Sequence, residues 1–82
     1  MFLILTKSNH YQIRVSHERI SYYYVDNDFT QIGIDDFEVY VKESPEIIDK
    51  MIQIGRDYEY LFISKKILDE FMQSDCNKFV GL

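Results

Sequence analysis

The chain has 82 residues, 46% apolar and 16% aromatic, with a formal charge of −5 and one cysteine, Cys76. That length fits one domain, residues 1–82, burying roughly 60–65% of the surface its unfolded form exposes, and the apolar content argues against disorder. A lone cysteine excludes an intramolecular disulfide and a thiolate zinc site within one chain, and it suits a reducing compartment.

The apolar start, Met1–Leu5, gives way to Thr6 and Lys7. It is shorter than a signal-peptide core and far short of the about 20 residues of a membrane span. A cytoplasmic protein is therefore expected. The first half then reads at period two. FLILTK (2–7) and YQIRVS (11–16) are separated by Ser8-Asn9-His10, and Tyr11, Ile13 and Val15 alternate with Gln12, Arg14 and Ser16, as in a strand with one wet face. ISYYYV (20–25) is dense in strand formers, and Asp26-Asn27-Asp28 punctuates it with residues that tolerate turn geometry. FTQIGI (29–34) alternates again, Asp35-Asp36 suits a two-residue turn, and FEVYVK (37–42) sets Phe37, Val39 and Val41 against Glu38, Tyr40 and Lys42. Five short strands with tight connections predict an antiparallel meander or a small open barrel.

At Ser44 the period changes. Ser44 is a good N-cap, Pro45 fits the first helical position, and Glu46 and Asp49 favour the positive end of the helix dipole. Ile47, Ile48, Met51 and Ile52 share one face of a helix expected over 45–54, which Gly55 can close in a left-handed cap. YEYLFI (58–63) then reads as a strand. Ser64 is placed to cap a second helix over 65–73, on which Ile67, Leu68, Phe71 and Met72 repeat at helical spacing. One continuous helix from Tyr58 is the alternative, and the tail from Ser74 is expected to be loose or docked by Phe79. The fold class expected is α+β: a five-stranded sheet, a helix, a short strand and a second helix.

Leu5-Thr6, Asn9-His10 where Asn-Gly is usual, Ile20, the run TQIGI at 30–34, and VKES at 41–44 followed by Glu46-Ile47-Ile48 together resemble the FlbD family. These are small bacterial proteins of flagellar operons, similar to short proteins of phages and mobile elements. The likeness covers roughly residues 3–52; the tyrosine run and residues 56–82 lie outside its pattern. It implies a non-catalytic small protein with a sheet followed by a helix, and it carries over no functional residue.

The chain offers little legible catalytic or metal chemistry. Asp26–Gln31 starts like a calcium loop, but Gln31 and Phe37 stand where an EF-hand needs glycine and a bidentate glutamate. His10 and His17, with Glu18 or an aspartate, have donor chemistry for a metal, yet nothing in their spacing forces convergence. Ser16-His17-Glu18 has the letters of a hydrolase triad, but consecutive strand residues point to opposite faces and cannot form the relay. Cys76 has Asp75 beside it and no evident base. Gly33, Gly55 and Gly81 are too far apart for a phosphate loop.

What remains is surface. Residues 26–50 carry eight acids against Lys42 and Lys50, while residues 1–25 carry Lys7, Arg14 and Arg19 against Glu18. An acidic middle with no basic cluster argues against direct contact with nucleic acid. Simple alternation from Ile20, taken as a core residue, points Tyr22 and Tyr24 inward and Tyr23 outward. Exposed tyrosine is enriched at interfaces. The expected function is a non-enzymatic protein-binding module, monomeric or homodimeric and without cofactor. Its contact residues would be Tyr23, Tyr40, Asp26, Asp28, Asp35, Asp36 and Glu38, facing a partner with a basic surface. The runner-up is a phage or mobile-element inhibitor that occupies a basic nucleic-acid-binding site on its target. A small-ligand binder or enzyme is the alternative of another class.

Overall fold

The computed structural model describes residues 1–80, with side chains as far as Met72. The chain runs through β1 (Phe2–Thr6), β2 (Gln12–Ser16), a 3-10 turn (His17–Arg19), β3 (Ile20–Asp26), β4 (Phe29–Ile34) and β5 (Phe37–Val41). It continues through α1 (Pro45–Asp57), β6 (Phe62–Ser64) and α2 (Lys65–Val80). This is an α+β fold with two open three-stranded sheets, in orders β2-β1-β6 and β3-β4-β5. The five strands expected as one meander are divided by the 3-10 turn. The β1–β2 hairpin gains β6 as a parallel neighbour, with Phe2 opposite Phe62 and Leu3 opposite Ile63. The β3–β4–β5 meander forms the second sheet.

The sheets meet where β1 ends. Lys7 bridges Val41, the Ser8 amide donates to the Tyr40 carbonyl at 3.1 Å, and the Lys42 amide donates to the Thr6 carbonyl at 2.8 Å. The three hairpin turns each place one non-glycine residue in left-handed backbone: His10 (φ 75°), Asn27 (φ 59°) and Asp35 (φ 50°). In the first, the His10 amide donates to the Lys7 carbonyl and the Lys7 amide to the Tyr11 carbonyl. That is a turn followed by a left-handed residue, which a glycine would occupy without strain.

Leu3, Leu5, Val15, Ile32, Ile34 and Val41 from the strands bury themselves against Ile48, Met51 and Ile54 of α1, with Ile63 and Leu68 closing the far side. The start of α1 is as the sequence predicts: Ser44 caps it, its hydroxyl accepting from the Ile47 amide at 3.3 Å. Its end is not. Gly55 is buried inside a helix that runs on to Asp57, its backbone is not left-handed, and a Cβ there would collide with Met1. The left-handed residue is Glu59 (φ 57°). The Tyr60 amide donates to the Gly55 carbonyl at 2.9 Å and the Glu59 amide to the Arg56 carbonyl at 3.4 Å, the two bonds of a Schellman cap. That cap takes up Tyr58–Tyr60, so the strand expected over 58–63 shrinks to Phe62–Ser64. A continuous helix from Tyr58 is ruled out. Ser64 does cap α2, accepting from the Ile67 amide at 3.3 Å, and α2 extends beyond residue 73 to Val80. Any docking by the Phe79 side chain lies outside the described side chains.

Candidate functional site

The register of β3 decides which tyrosines reach solvent. Ile20 pairs with Ile34, but Tyr22 pairs with Gly33, so two residues of β3 oppose one of β4 and Ser21 is a bulge. Alternation restarts after it. Ile20 and Tyr23 pack against the core, and Tyr22 and Tyr24 turn outward, 46% and 47% exposed. The expectation of an outward Tyr23 with inward Tyr22 and Tyr24 is corrected: a one-residue slip moves every side chain to the other face. Tyr23 instead donates its hydroxyl to Asp49 on α1. Burial, with that bond second, pushes its phenol up to about 12.

On the outer face of the β3-β4-β5 sheet, neighbouring strands set Tyr22 beside Gly33 and Glu38, and Tyr24 beside Gln31 and Tyr40. The tyrosine hydroxyls are all engaged. Tyr22 donates to Glu38 at 2.6 Å, Tyr24 to the Gln31 carbonyl oxygen at 2.6 Å, and Tyr40 to Asp26 at 3.2 Å. The Gln31 amide donates in turn to Glu38, so Glu38 receives both a phenol and an amide. The Tyr22 and Tyr24 rings stack with centroids 6.0 Å apart. Gly33 makes room beneath Tyr22: a Cβ at residue 33 would lie 2.9 Å from Cδ1 and closer still to the rest of the ring edge.

This network fixes the chemistry of the face. The hydrogen bond to the Glu38 carboxylate raises the Tyr22 phenol above its ordinary value near 10, and the bond to Asp26 does the same for Tyr40. Both phenols stay protonated at neutral pH, so they act as donors rather than bases. The face thus presents flat apolar rings edged by carboxylates, suited to contact with another molecule. Tyr40, 42% exposed, also borders a hollow of about 330 Å³ with Asp26, Asp28 and Phe29.

Of the residues expected to form the site, Tyr40, Asp26 and Glu38 come together on this face and Asp28 stands at its rim. Asp35 and Asp36 lie at the opposite end of β4, in the β4–β5 turn, where Asp35 pairs with Arg19 at 3.3 Å. Tyr22, Tyr24, Gln31 and Gly33 were missed. The interior glycine of FTQIGI was the available signal, since glycine within a strand marks a close approach. His10 and His17 stand at opposite ends of β2, His10 against Lys42 and His17 against the Met1 carbonyl. Among the described residues no group of three or more metal-ligating side chains converges. The Cys76 side chain and Gly81 lie outside what the structure describes. Among the described residues no helix is long and apolar enough to cross a membrane. Comparison with family models, with curated proteins and with solved structures returns no match to the chain.

Proposed function

We propose that the chain is a non-enzymatic protein-binding module whose contact surface is the outer face of the β3-β4-β5 sheet. One observation carries this: Tyr22, Tyr24 and Tyr40 stand together, each nearly half exposed, with their hydroxyls already bonded. Rings held in place before contact lose little entropy on binding, and large rigid aromatics dominate interface energetics. Asp26, Asp28 and Glu38 give the face a negative edge, which selects a partner with a basic surface. A lysine or arginine laid over a ring gains from the ring face and from the carboxylate beside it. Asp35 and Asp36, at the far end of β4, add only long-range attraction. Tyr23 belongs to the core side and leaves the contact set.

The FlbD-like motifs and the charge balance are compatible with a cytoplasmic setting and with a second, narrower reading. In it, the partner's basic surface is a nucleic-acid-binding site that this protein occupies as an inhibitor. Carboxylates and aromatic rings on one face favour such a target, because they offer the charge and stacking surface that a nucleic acid would offer.

The test compares wild-type protein with the Tyr24→Ala/Tyr40→Ala double variant as baits in a host lysate. A partner held by the wild type and lost from the folded variant supports the reading, as does release by added salt. Equal retention by both baits overturns it. Displacement of the captured partner's nucleic acid separates the inhibitor from a general binding module.

A further inference from the structure

A second recess has the opposite chemistry. It holds about 430 Å³, and its apolar wall includes Phe2, Ile13, Phe37 and Val39. Phe2 and Phe37 are 50% and 57% exposed. Its rim carries Lys7, Arg14 and Arg19, all the lysine and arginine of residues 1–25, in a chain whose formal charge is −5. Asp35 also lines the recess and pairs with Arg19, so the uncompensated positive charge of the recess comes from Lys7 and Arg14, which make no ion pair among the described residues.

Ile13, Arg14, Val15 and Ser16 all border this recess. Successive strand residues point to opposite faces, so a recess that touches four in a row follows the strand's edge rather than either face. That edge is open, since among the described residues β2 has only β1 beside it. The Lys7 amide donates to the Tyr11 carbonyl and the His17 amide to the Met1 carbonyl, which makes the pairs Leu5–Ile13 and Leu3–Val15 the hydrogen-bonded ones of the ladder. The backbone groups of Gln12, Arg14 and Ser16 therefore point away from β1, along the recess. On the other wall, the bonds that join this end of β5 to the β1 hairpin are those of Tyr40 with Ser8 and of Lys42 with Thr6. Among the described residues, the edge from Phe37 to Val39 has no strand beside it.

We propose that this edge binds an extended acidic segment of another protein, which adds as a strand to β2. Its backbone would pair with Gln12, Arg14 and Ser16. Alternate apolar side chains would enter the recess between Ile13, Phe37 and Val39, and the carboxylates between them would meet Arg14, with Lys7 beyond one end of β2. Strand addition draws affinity from main-chain bonds and selectivity from what the alternate side chains meet. Charge complementarity fixes the occupant. A second copy pairing antiparallel about Arg14 would set Arg14 against Arg14, and like charges directly opposite are destabilising. A basic segment would meet the same repulsion.

The experiment uses a fluorescently labelled short peptide that alternates valine and glutamate. Its controls are the valine–lysine peptide and a valine–glutamate peptide methylated at alternate backbone amides. Anisotropy reads binding to the full chain, and hydrogen exchange reads the Arg14 amide. The acidic peptide is expected to bind and to protect the Arg14 amide, and the Arg14→Glu variant, checked for fold by circular dichroism, is expected to lose at least about tenfold in affinity. Binding of the valine–lysine or the methylated peptide as tight as that of the acidic one overturns the proposal. So does acidic-peptide binding that leaves the Arg14 amide unprotected, or self-association through β2 that excludes the peptide. Retained binding by Tyr24→Ala/Tyr40→Ala is expected and keeps this edge separate from the tyrosine face.

Discussion

Tyr23 and its neighbours show how much one inserted residue changes. The Ser21 bulge puts Tyr23 on the core side, so Tyr23→Ala is expected to cost about 2–3 kcal/mol, below the roughly 3–5 kcal/mol of a fully buried aromatic. Tyr22→Ala and Tyr24→Ala remove surface pairs worth about 0.2–1 kcal/mol each. Denaturant midpoints of the three variants check this ranking, and the reverse order would place the bulge elsewhere. Tyr23 also carries a pH signature. Its phenol ordinarily loses its proton near 10, and in the fold at about 12. The folded state thus holds the proton more tightly. That contribution is complete below pH 10 and disappears as pH rises through about 12. Wild-type protein should therefore lose stability relative to Tyr23→Phe across that window and not below it; parallel curves through the window would remove Asp49 and burial as influences on this phenol. Gly33→Ala acts on the outer face. The half-exposed Tyr22 ring can swing aside, so the expected loss is about 1 kcal/mol, but the Tyr22–Glu38 bond and the stack on Tyr24 should go with it. Near-ultraviolet circular dichroism would report the loss of the stack.

At the scale of elements, α1 shows what a local pattern reveals and what it hides. Its start is written in adjacent residues, Ser44 and Pro45, and Ser44→Ala is expected to cost about 0.5–2 kcal/mol. Its end is not written there. Gly55 looks like a cap because glycine tolerates left-handed backbone, but here glycine is needed because Met1, from the other end of the chain, fills the space a Cβ would take. The cap falls to Glu59, a residue strained in that conformation, so Glu59→Gly is expected to stabilise by about 0.5–1 kcal/mol. An unchanged thermal midpoint would mean that the strain is already relieved. The same distinction covers the strands. Their positions follow from period-two patterning, and the outward side of β5, with Glu38 and Tyr40, follows from it directly. The outward side of β3 does not, because a bulge leaves no mark in a run where Ser, Tyr and Val each suit either face. The strand β6 is legible in YEYLFI, but its partner is not: it pairs in parallel with β1, sixty positions earlier in the chain.

For the whole molecule the decisive contact is the seam between the two sheets, and the side chain that holds it is Glu43. Only 6% exposed, it accepts from the Thr6 amide with both carboxylate oxygens, at 2.9 and 3.1 Å. Beside it the Lys42 amide donates to the Thr6 carbonyl, so both backbone groups of Thr6 are bonded across the seam. The two stretches Leu5-Thr6 and Val41–Ser44, far apart in sequence, are therefore one structural feature. Each contributes one part of this contact: the first supplies an amide with no strand partner on that side, the second an acceptor, and its last residue, Ser44, caps α1. The seam also joins the sheet that carries the tyrosine face to the sheet that carries the β2 edge, the two surfaces proposed for contact. Glu43→Ala leaves the Thr6 amide without its acceptor and opens a gap, and it is expected to cost about 1–3 kcal/mol. Glu43→Gln keeps a carbonyl acceptor and should lose less. Both variants should weaken protection of the Thr6 amide in hydrogen exchange, Ala more than Gln, while the β3–β4 ladder remains protected. Uniform loss of protection in both sheets would mean that they unfold as one unit and that the seam has no stability of its own. Loss confined to Thr6, Lys7 and Lys42 would make it the hinge between two separately stable halves.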